Sequence, residues 1–308
     1  MQKKRIMIVS VICILLLTLC ACGTKKQEKK ADTVDFSSLS KTGSMELNYA
    51  TQYSVDEYDG YKMITIVDDG RFLLIPEGMV VPQNIPEDVT VLQQPLDKTY
   101  LVSTSVMDLV RQIDAMSDIR LSGTKEDGWY VEEAREAMEE GDILYAGKYS
   151  APDYEMILDE GCNLAIENTM IYHNPEVKEK LEELGIPVLV ERSSYEEHPL
   201  GRMEWIRLYG VLFDAEETAE QLFQEQVQQL DTVLTGQSVG KSAAFFYITS
   251  NGAVNVRKPG DYVAKMIELA GGSYVPKTAD TDENALSTMN MQMETFYAEA
   301  KEADCLIY

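Results

Sequence analysis

The stretch SSYEEHPLGRMEWIRLYGVLFDAEETAEQLFQEQ, residues 193–226, lies between two halves of the chain that each alternate short apolar runs with amphipathic segments. Residues 202–213 are apolar on most sides, which predicts a helix packed deeply against the first half. Asp214 and Glu217 have the spacing of a capping box, so a second helix is predicted to begin there and to end at Gly236. A helix of about twenty residues spans about 30 Å, the width of a small domain. The sequence therefore predicts that one long helix joins two α/β lobes.

The first half of the chain begins with a hairpin pattern and continues as an alternation of strands and helices. Residues 61–76, YKMITIVDDGRFLLIP, hold two apolar runs around the DDG turn at 68–70, which is a strong hairpin signal. From residue 99 to 191, short apolar runs such as TYLVST and ILYAG alternate with amphipathic segments of helical length. This alternation is typical of βαβ units and predicts a largely parallel, doubly wound sheet.

The second half of the chain returns to the same alternation after the long helix. The segments are SAAFFYI (242–248), DYVAKMIELAGG (261–272), METFYAEAKEAD (293–304) and CLIY (305–308). A lobe of about 70 residues is small for a doubly wound sheet, and its last strand should be followed by more helix. The predicted fold class is therefore α/β, with two doubly wound lobes joined by a single long helix and a truncated second lobe.

The N-terminus has the pattern of an export signal followed by a lipid attachment site. The basic residues KKR at 3–5 precede an apolar run at 6–19, which is short for a membrane span. The stretch LCACG at 19–23 resembles a bacterial lipobox, in which Cys22 is the better lipidation site because the small Ala21 precedes it. An uncleaved anchor helix is the alternative, and both interpretations place the protein on the extracytoplasmic face of the cell membrane.

The predicted organisation follows from these patterns. It comprises a signal peptide at 1–21, a lipidated N-terminus with a flexible spacer at 22–44, an N-terminal α/β lobe at 45–213, an interdomain helix at 214–236 and an incomplete C-terminal α/β lobe at 237–308.

Composition and motif content narrow the classes of function. The formal net charge is −25, which makes nucleic acid and anionic lipid poor partners. The chain has two histidines and lacks the G-x-G-x-x-G, phosphate-loop, H-E-x-x-H and G-x-S-x-G motifs, so we expect no cofactor, no metal site and no catalytic site. Cys162 and Cys305 each lie between a helical segment and an apolar strand, which predicts two buried, unreactive thiols.

Three segments together resemble one family, the helical-backbone substrate-binding lipoproteins of bacterial ABC importers. HPLGRMEWIRLYGVLFDAEETAEQL (198–222) resembles the family's P-L-x-x-x-x-W-I segment, apolar helix and E-E-x-A start of the interdomain helix. VNVRKPGDYVAKMIELAGG (254–272) resembles its second-lobe motif, and YDGYKMITIVDDGRFLLIP (58–76) its N-terminal hairpin. The resemblance implies a monomeric receptor that binds a ferric siderophore, haem or cobalamin between its lobes and delivers it to an ABC permease.

The resemblance also implies two docking residues. Members of the family dock on their permease through one surface glutamate on each lobe, each at the start of a helix that leads into a strand. DYEMILDEGCNLAIE matches the first position at Glu155, and MQMETFYAEAKEADCLIY matches the second at Glu294. The alternative for either glutamate is an ordinary acidic residue favoured by the helix dipole.

Ligand contacts are expected in the loops that follow the carboxyl ends of the strands, where doubly wound sheets place their sites. These loops contribute Lys148, Tyr149, Tyr172, His173, Arg192, Tyr195, Tyr247 and Arg257. In cobalamin-binding relatives an aromatic residue six positions before the first docking glutamate packs on the ligand, and Tyr149 matches it. The matching position before Glu294 is Thr288, which is not aromatic. Basic and tyrosine-rich loops instead favour an anionic chelate or a haem propionate.

Two other hypotheses come from different functional classes. A lipid-anchored α/β enzyme would need an activated nucleophile beside a histidine, and neither His173 nor His198 has such a partner by motif. A truncated ligand scavenger that no longer transports is the other alternative. The family resemblance favours the transport receptor over both.

Overall fold

The computed structural model of the protein describes residues 33–234, 238–277 and 288–308. The predicted signal peptide, Cys22, the first part of the spacer and Gly236 lie outside these ranges. In the described part of the chain no helix combines the length and the apolar character needed to span a membrane.

The described residues form alternating helices and strands. The helices are α1 (Thr104–Gln112), α2 (Glu132–Glu140), α3 (Tyr154–Asp159), α4 (Pro175–Glu183), α5 (Pro199–Leu212), α6 (Glu216–Val233), α7 (Tyr262–Leu269) and α8 (Met293–Ala300). The strands are β1 (Lys41–Ser44), β2 (Tyr53–Tyr58), β3 (Tyr61–Ile66), β4 (Gly70–Ile75), β5 (Val89–Gln93), β6 (Thr99–Leu101), β7 (Ile119–Ser122), β8 (Leu144–Tyr145), β9 (Gly147–Lys148), β10 (Ala151–Pro152), β11 (Leu164–Asn168), β12 (Val188–Glu191), β13 (Ser242–Ile248), β14 (Val254–Arg257), β15 (Ser273–Val275), β16 (Thr288–Met291) and β17 (Cys305–Ile307).

The N-terminal sheet has the order β1-β2-β3-β4-β5. Strands β1 to β4 form an antiparallel meander, and β5 adds to β4 in parallel. The predicted hairpin at 61–76 is its centre, formed by β3 and β4. The structure corrects the predicted spacer, because residues 36–38 form a 3₁₀ turn and β1 pairs with β2. Phe36 and Leu39 pack against the outer face of the sheet, so this part of the chain buries apolar surface.

The central sheet confirms the predicted doubly wound pattern of the first lobe. Its order is β12-β11-β6-β7-β8, and all of its strands are parallel. The chain runs from β6 outward to β8 and then returns to β11 on the other side of β6. The topological switch point therefore lies between β6 and β11, where open α/β sheets form their ligand crevice.

Helix α5 attaches the N-terminal sheet to the rest of the molecule through two buried carboxylates. Glu204, on α5, accepts hydrogen bonds from the backbone N–H groups of residues 48, 49 and 50 at 3.0, 2.8 and 2.7 Å. Glu196, just before α5, accepts from the N–H groups of Thr51 and Gln52 at 2.8 and 3.0 Å. The indole N–H of Trp205 also donates to Glu196 at 3.0 Å. Two acidic side chains thus satisfy five consecutive backbone donors that no strand pairs.

Helix α6 follows α5 closely and leads to the second lobe. A Cβ atom on Gly210 would lie 2.6 Å from the Cβ of Ala219, so the two helices approach at a position that requires glycine. The predicted capping box at Asp214 is wrong, because α6 begins at Glu216 behind Ala215, which makes no side-chain cap. Asp214 instead has a φ of 56° and forms the sharp turn between the helices, a conformation that Asp tolerates better than most residues.

The second-lobe sheet is mixed, and this differs in detail from the predicted doubly wound lobe. Strand β13 pairs in parallel with β15 and β17 but antiparallel with β14, which pairs antiparallel with β16. Cys305 lies in β17 and is exposed, so the predicted burial of this thiol is wrong, whereas Cys162 is half-buried. Burial raises the pKa of the Cys162 thiol to about 11, which keeps it protonated and unreactive.

Replacement of Glu204 should test its role in attaching the N-terminal sheet. Glu204→Ala should lower the free energy of unfolding by about 3 kcal/mol, because buried backbone donors lose their acceptor. Urea unfolding followed by tryptophan fluorescence measures the loss. The control is Glu217→Ala, an exposed acid on α6, for which we expect about 0.5 kcal/mol or less. A loss under about 1 kcal/mol for Glu204→Ala would contradict the assigned role.

Candidate ligand cleft

The candidate site lies at the carboxyl edge of the central sheet, where the strands of the parallel sheet all end. Six of the eight predicted ligand-binding residues follow its strands: Lys148 and Tyr149 after β8, Tyr172 and His173 after β11, and Arg192 and Tyr195 after β12. Lys148, Tyr172 and His173 are exposed, and Tyr149 and Tyr195 are half-buried. The topology therefore brings these six residues to one edge of the sheet.

Arg192 differs from the other five because its side chain is buried and has several partners. Its guanidinium donates to the Tyr172 hydroxyl at 3.3 Å and to Gln52 Oε1 at 3.4 Å. It also lies 3.3 Å from a carboxylate oxygen of Asp68 and 4.3 Å from the centre of the Tyr195 ring. Arg192 thus links two tyrosines at the carboxyl edge to the N-terminal sheet.

A short hairpin of β9 and β10 carries Lys148 and Tyr149. Gly147, with a φ of 87°, begins it, and a Cβ at this position would lie 2.3 Å from the carbonyl oxygen of Ala151. The Tyr100 hydroxyl donates to the Gly147 carbonyl at 2.7 Å and fixes the base of the hairpin. Tyr149 packs against the core below the hairpin, so its ring is only partly available to a ligand.

The second lobe approaches this edge through helix α7. The Arg202 guanidinium, from α5, lies 3.6 Å from the centre of the Tyr262 ring at the start of α7. Arg202 also donates to the Ser194 carbonyl at 2.8 Å, and burial lowers the pKa of its guanidinium. Arg257 lies 5.8 Å from the same ring and 3.8 Å from Asp261. One tyrosine ring therefore contacts cationic groups from both lobes.

Tyr247, the last of the predicted ligand-binding residues, lies on β13 and is half exposed. It pairs with Asn255 across the antiparallel ladder of the second-lobe sheet. It lies within a strand of the second-lobe sheet, whereas the six first-lobe residues follow the strands of the central sheet.

A buried polar cluster at the switch point was missed by sequence reasoning. Glu191 accepts hydrogen bonds from the Ser193 N–H at 2.6 Å, the Ser103 hydroxyl at 3.2 Å and the Ser105 hydroxyl at 3.3 Å. The pKa of the Glu191 carboxyl group is raised, mainly because the group is buried. The available signal was a glutamate that ends the apolar strand VLVE beside the serines that follow TYLV. This cluster fixes the ends of β6 and β12.

Glu167 is a second buried acid near the same edge. It lies on β11 and is fully buried, and neither carboxylate oxygen has a hydrogen-bond partner. Burial raises its pKa to about 8, so the group is mostly protonated at neutral pH. Across the described ranges, no group of three or more His, Cys, Asp or Glu side chains could hold a metal ion.

The predicted docking glutamates are both exposed in the first turn of a helix. Glu155 is in α3, which begins directly after the β9–β10 hairpin and is capped by Asp153. Glu294 is in α8, which packs on the second-lobe sheet. Each lobe therefore presents one of the two side chains to solvent.

Two surface cavities lie beside the N-terminal sheet and not at the carboxyl edge. One, of about 250 Å³, is lined by the ion pair of Lys62 and Glu216. The other, of about 450 Å³, is lined by Lys178 and Asp69, whose charged atoms are 3.6 Å apart. Each cavity is lined by one such ion pair and lies away from the carboxyl edge, so these cavities are weaker ligand candidates than the cleft.

Comparison with known proteins identifies the fold. No protein-family model matches the chain. It is 24% identical over 269 residues to an uncharacterised lipoprotein of Methanocaldococcus jannaschii, with 83% of this chain and 63% of that protein covered. The chain thus spans less than two thirds of the length of this relative.

Two solved structures share the architecture. A possible iron-binding, periplasmic solute-binding protein of Staphylococcus epidermidis superposes with a TM-score of 0.54, at 12% identity, over 68% of this chain and 76% of that one. A periplasmic haem-binding protein of Vibrio cholerae superposes with a TM-score of 0.52, at 16% identity, over 66% and 73% of the two chains. The predicted resemblance to periplasmic substrate-binding proteins is therefore confirmed for the fold.

Substitution of Glu167 should change how stability depends on pH. The folded chain holds a proton on Glu167 up to about pH 8, whereas an unfolded chain releases it near pH 4.5. The stability that this proton provides is complete below pH 4.5 and is lost as the pH rises through 8. Glu167→Gln should remove the loss and stabilise the protein at pH 9 by about 2–4 kcal/mol relative to the wild type.

Urea unfolding of both chains at pH 5, 7 and 9 would measure this effect. The exposed Glu139→Gln provides a matched control, and its stability should follow that of the wild type at each pH. Equal stability of Glu167→Gln and the wild type at pH 9 would contradict the prediction, because ionisation of the buried Glu167 would then not lower the free energy of unfolding.

Proposed function

We propose that this chain, which has the fold of periplasmic substrate-binding proteins, captures an iron chelate or haem between its two lobes and delivers it to an ABC permease. The observation that carries the proposal is the set of basic and tyrosine side chains at the carboxyl edge of the central sheet, beside the contact between α5 and α7. Two proteins of this fold are named for iron and haem binding. Binding, and not catalysis, is the proposed mechanism.

The charges at the edge favour an anionic ligand. The chain as a whole is strongly acidic and would repel an anion at long range. Local cations such as Lys148 and Arg257, together with tyrosine hydroxyls, can form charge-assisted hydrogen bonds with a catecholate, a hydroxamate or a haem propionate. Cobalamin is a weaker candidate, because Tyr149 is partly buried in the core and Thr288 provides no second aromatic ring.

Docking on the permease is assigned to Glu155 and Glu294. Both carboxylates are exposed, one on each lobe, in the first turn of a short helix. Salt bridges from both lobes to arginines of the permease would hold the cleft over the transport path. Because α3 follows the hairpin that carries Lys148 directly, docking and ligand contact are close along the chain.

The proposed location is the extracytoplasmic face of the cell membrane, with the chain lipid-anchored at Cys22 and acting as a monomer. The likeness to a lipoprotein supports this location, while Cys22 lies outside the described residues. A lipid-anchored enzyme and a non-transporting scavenger are the alternatives. The fold shared with periplasmic binding proteins supports binding over the enzyme. Loss of uptake in docking variants would argue against the scavenger.

Charge reversal separates docking from ligand binding. Glu155→Arg combined with Glu294→Arg should abolish ligand uptake, because two salt bridges to the permease become repulsions. Ligand affinity should stay within about tenfold, because neither glutamate is among the residues assigned to the cleft. Uptake of radioactive iron by cells that express the importer, and equilibrium binding by the purified chain, measure the two effects.

The matched control is Glu132→Arg, which reverses an exposed acid in the first turn of α2. It should leave both uptake and affinity unchanged. A large loss of affinity in the double variant would place the two glutamates in the cleft instead, and unchanged uptake would refute the docking assignment.

A further inference from the structure

The contacts of Arg192 join the N-terminal sheet to the candidate cleft. Two of its partners, Tyr172 and Tyr195, lie at the carboxyl edge of the central sheet. Its other two partners come from the N-terminal sheet region: Gln52 immediately precedes β2, and Asp68 lies in the β3–β4 turn. The guanidinium is therefore held between two tyrosines on one side and two acceptors on the other.

The side chains of Gln52 and Asp68 do not attach the N-terminal sheet to the rest of the molecule. Glu196 and Glu204 bind the backbone of residues 48–52, and replacing the Gln52 side chain leaves those bonds in place. In the β3–β4 turn, the buried Asp69 accepts from the Val190 N–H at 3.0 Å and so attaches this turn independently. The Asp68 side chain, in contrast, is 78% exposed and contacts the first lobe through Arg192.

Because the guanidinium group of Arg192 is planar, the directions of its contacts depend on one another. Arginine donates through a rigid fork of N–H groups, so acceptors on one edge fix the plane of the whole group. Once that plane is fixed, one N–H points at the Tyr172 hydroxyl and one face lies against the Tyr195 ring. Without Gln52 and Asp68 the guanidinium could rotate toward solvent, and both tyrosines would lose a contact.

We propose that Gln52 and Asp68 are positioning residues that act through Arg192 to fix Tyr172 and Tyr195 for ligand binding. The proposal rests on the function assigned above and adds to it that the N-terminal sheet takes part in ligand affinity. Gln52 and Asp68 do not touch the ligand. Their effect is to order Tyr172 and Tyr195, the two side chains that touch the ligand.

The first test needs no ligand. Nitration of Tyr172 and Tyr195 by tetranitromethane, resolved by mass spectrometry of the full chain, reports how well the two rings are held. The double variant Gln52→Ala/Asp68→Asn should nitrate several-fold faster at both rings with an unchanged melting temperature. Asp59→Asn is the matched control, because Asp59 also has a positive φ in a hairpin turn but lies in the β2–β3 turn, and its nitration should equal that of the wild type.

A rescue variant separates positioning from general loosening of the structure. Gln52→Glu/Asp68→Asn restores an acceptor to Arg192 and should return both nitration rates to the wild-type values. A fall in melting temperature that accompanies faster nitration at buried tyrosines elsewhere, such as Tyr53, would overturn the proposal in favour of a structural role.

The second test measures affinity for haemin and for a ferric tris-catecholate. The probe that binds the wild type should bind the double variant about tenfold more weakly, and the rescue variant should restore affinity. Unchanged affinity despite faster nitration, or unchanged nitration, would overturn the proposal. Failure of the wild type to bind either probe would refute the proposed function instead, and the nitration result would still decide whether Gln52 and Asp68 order the two tyrosines.

Discussion

Two buried carboxylates hold the architecture together. Glu196 and Glu204 bind five consecutive N–H groups at residues 48–52. These donors, the Trp205 indole on Glu196 and the Arg207 guanidinium on Glu204 compensate for the hydration that the buried acids lose. The contact joins the N-terminal sheet to α5. Helix α5 in turn packs against α6 and contacts α7, so the position of the second lobe depends on the same anchor.

This anchor is the physical basis of the link proposed between the N-terminal sheet and the cleft. With residues 48–52 fixed, Gln52 lies beside Arg192, and the β3–β4 turn brings Asp68 to the same guanidinium. Toward the second lobe, the Arg202 guanidinium donates to the Ser194 carbonyl and lies over the Tyr262 ring. A continuous series of polar and cation–π contacts therefore runs from the N-terminal sheet to the second lobe through residues 192–202.

Much of the fold could be predicted from local patterns, because hairpins and βαβ units show their periodicity in short windows. The β3–β4 hairpin, the parallel central sheet and the long helix α6 are examples. The role of Glu196 and Glu204 could not be predicted, since their partners lie about 150 positions away in sequence and the donors are backbone groups that any residue carries. For the same reason the contacts of Arg192 with Gln52 and Asp68 could not be predicted, because these two partners come from the region of another sheet. The mixed pairing of the second-lobe sheet could not be predicted, because a strand as short as β14 shows no preference for parallel or antiparallel pairing.

Whether the cleft binds an anionic iron chelate or haem can be decided by fluorescence titration of the chain without its predicted signal peptide. Trp129 and Trp205, the two tryptophans, are both buried in the first lobe, and haemin, ferric siderophores and cobalamin all absorb strongly enough to quench nearby indoles. Saturable quenching by haemin or a ferric siderophore at micromolar or tighter affinity is the predicted result. Absence of quenching and of binding by equilibrium dialysis for haemin and ferric siderophores, in a chain shown to be folded, would rule out the proposed ligands even if cobalamin bound.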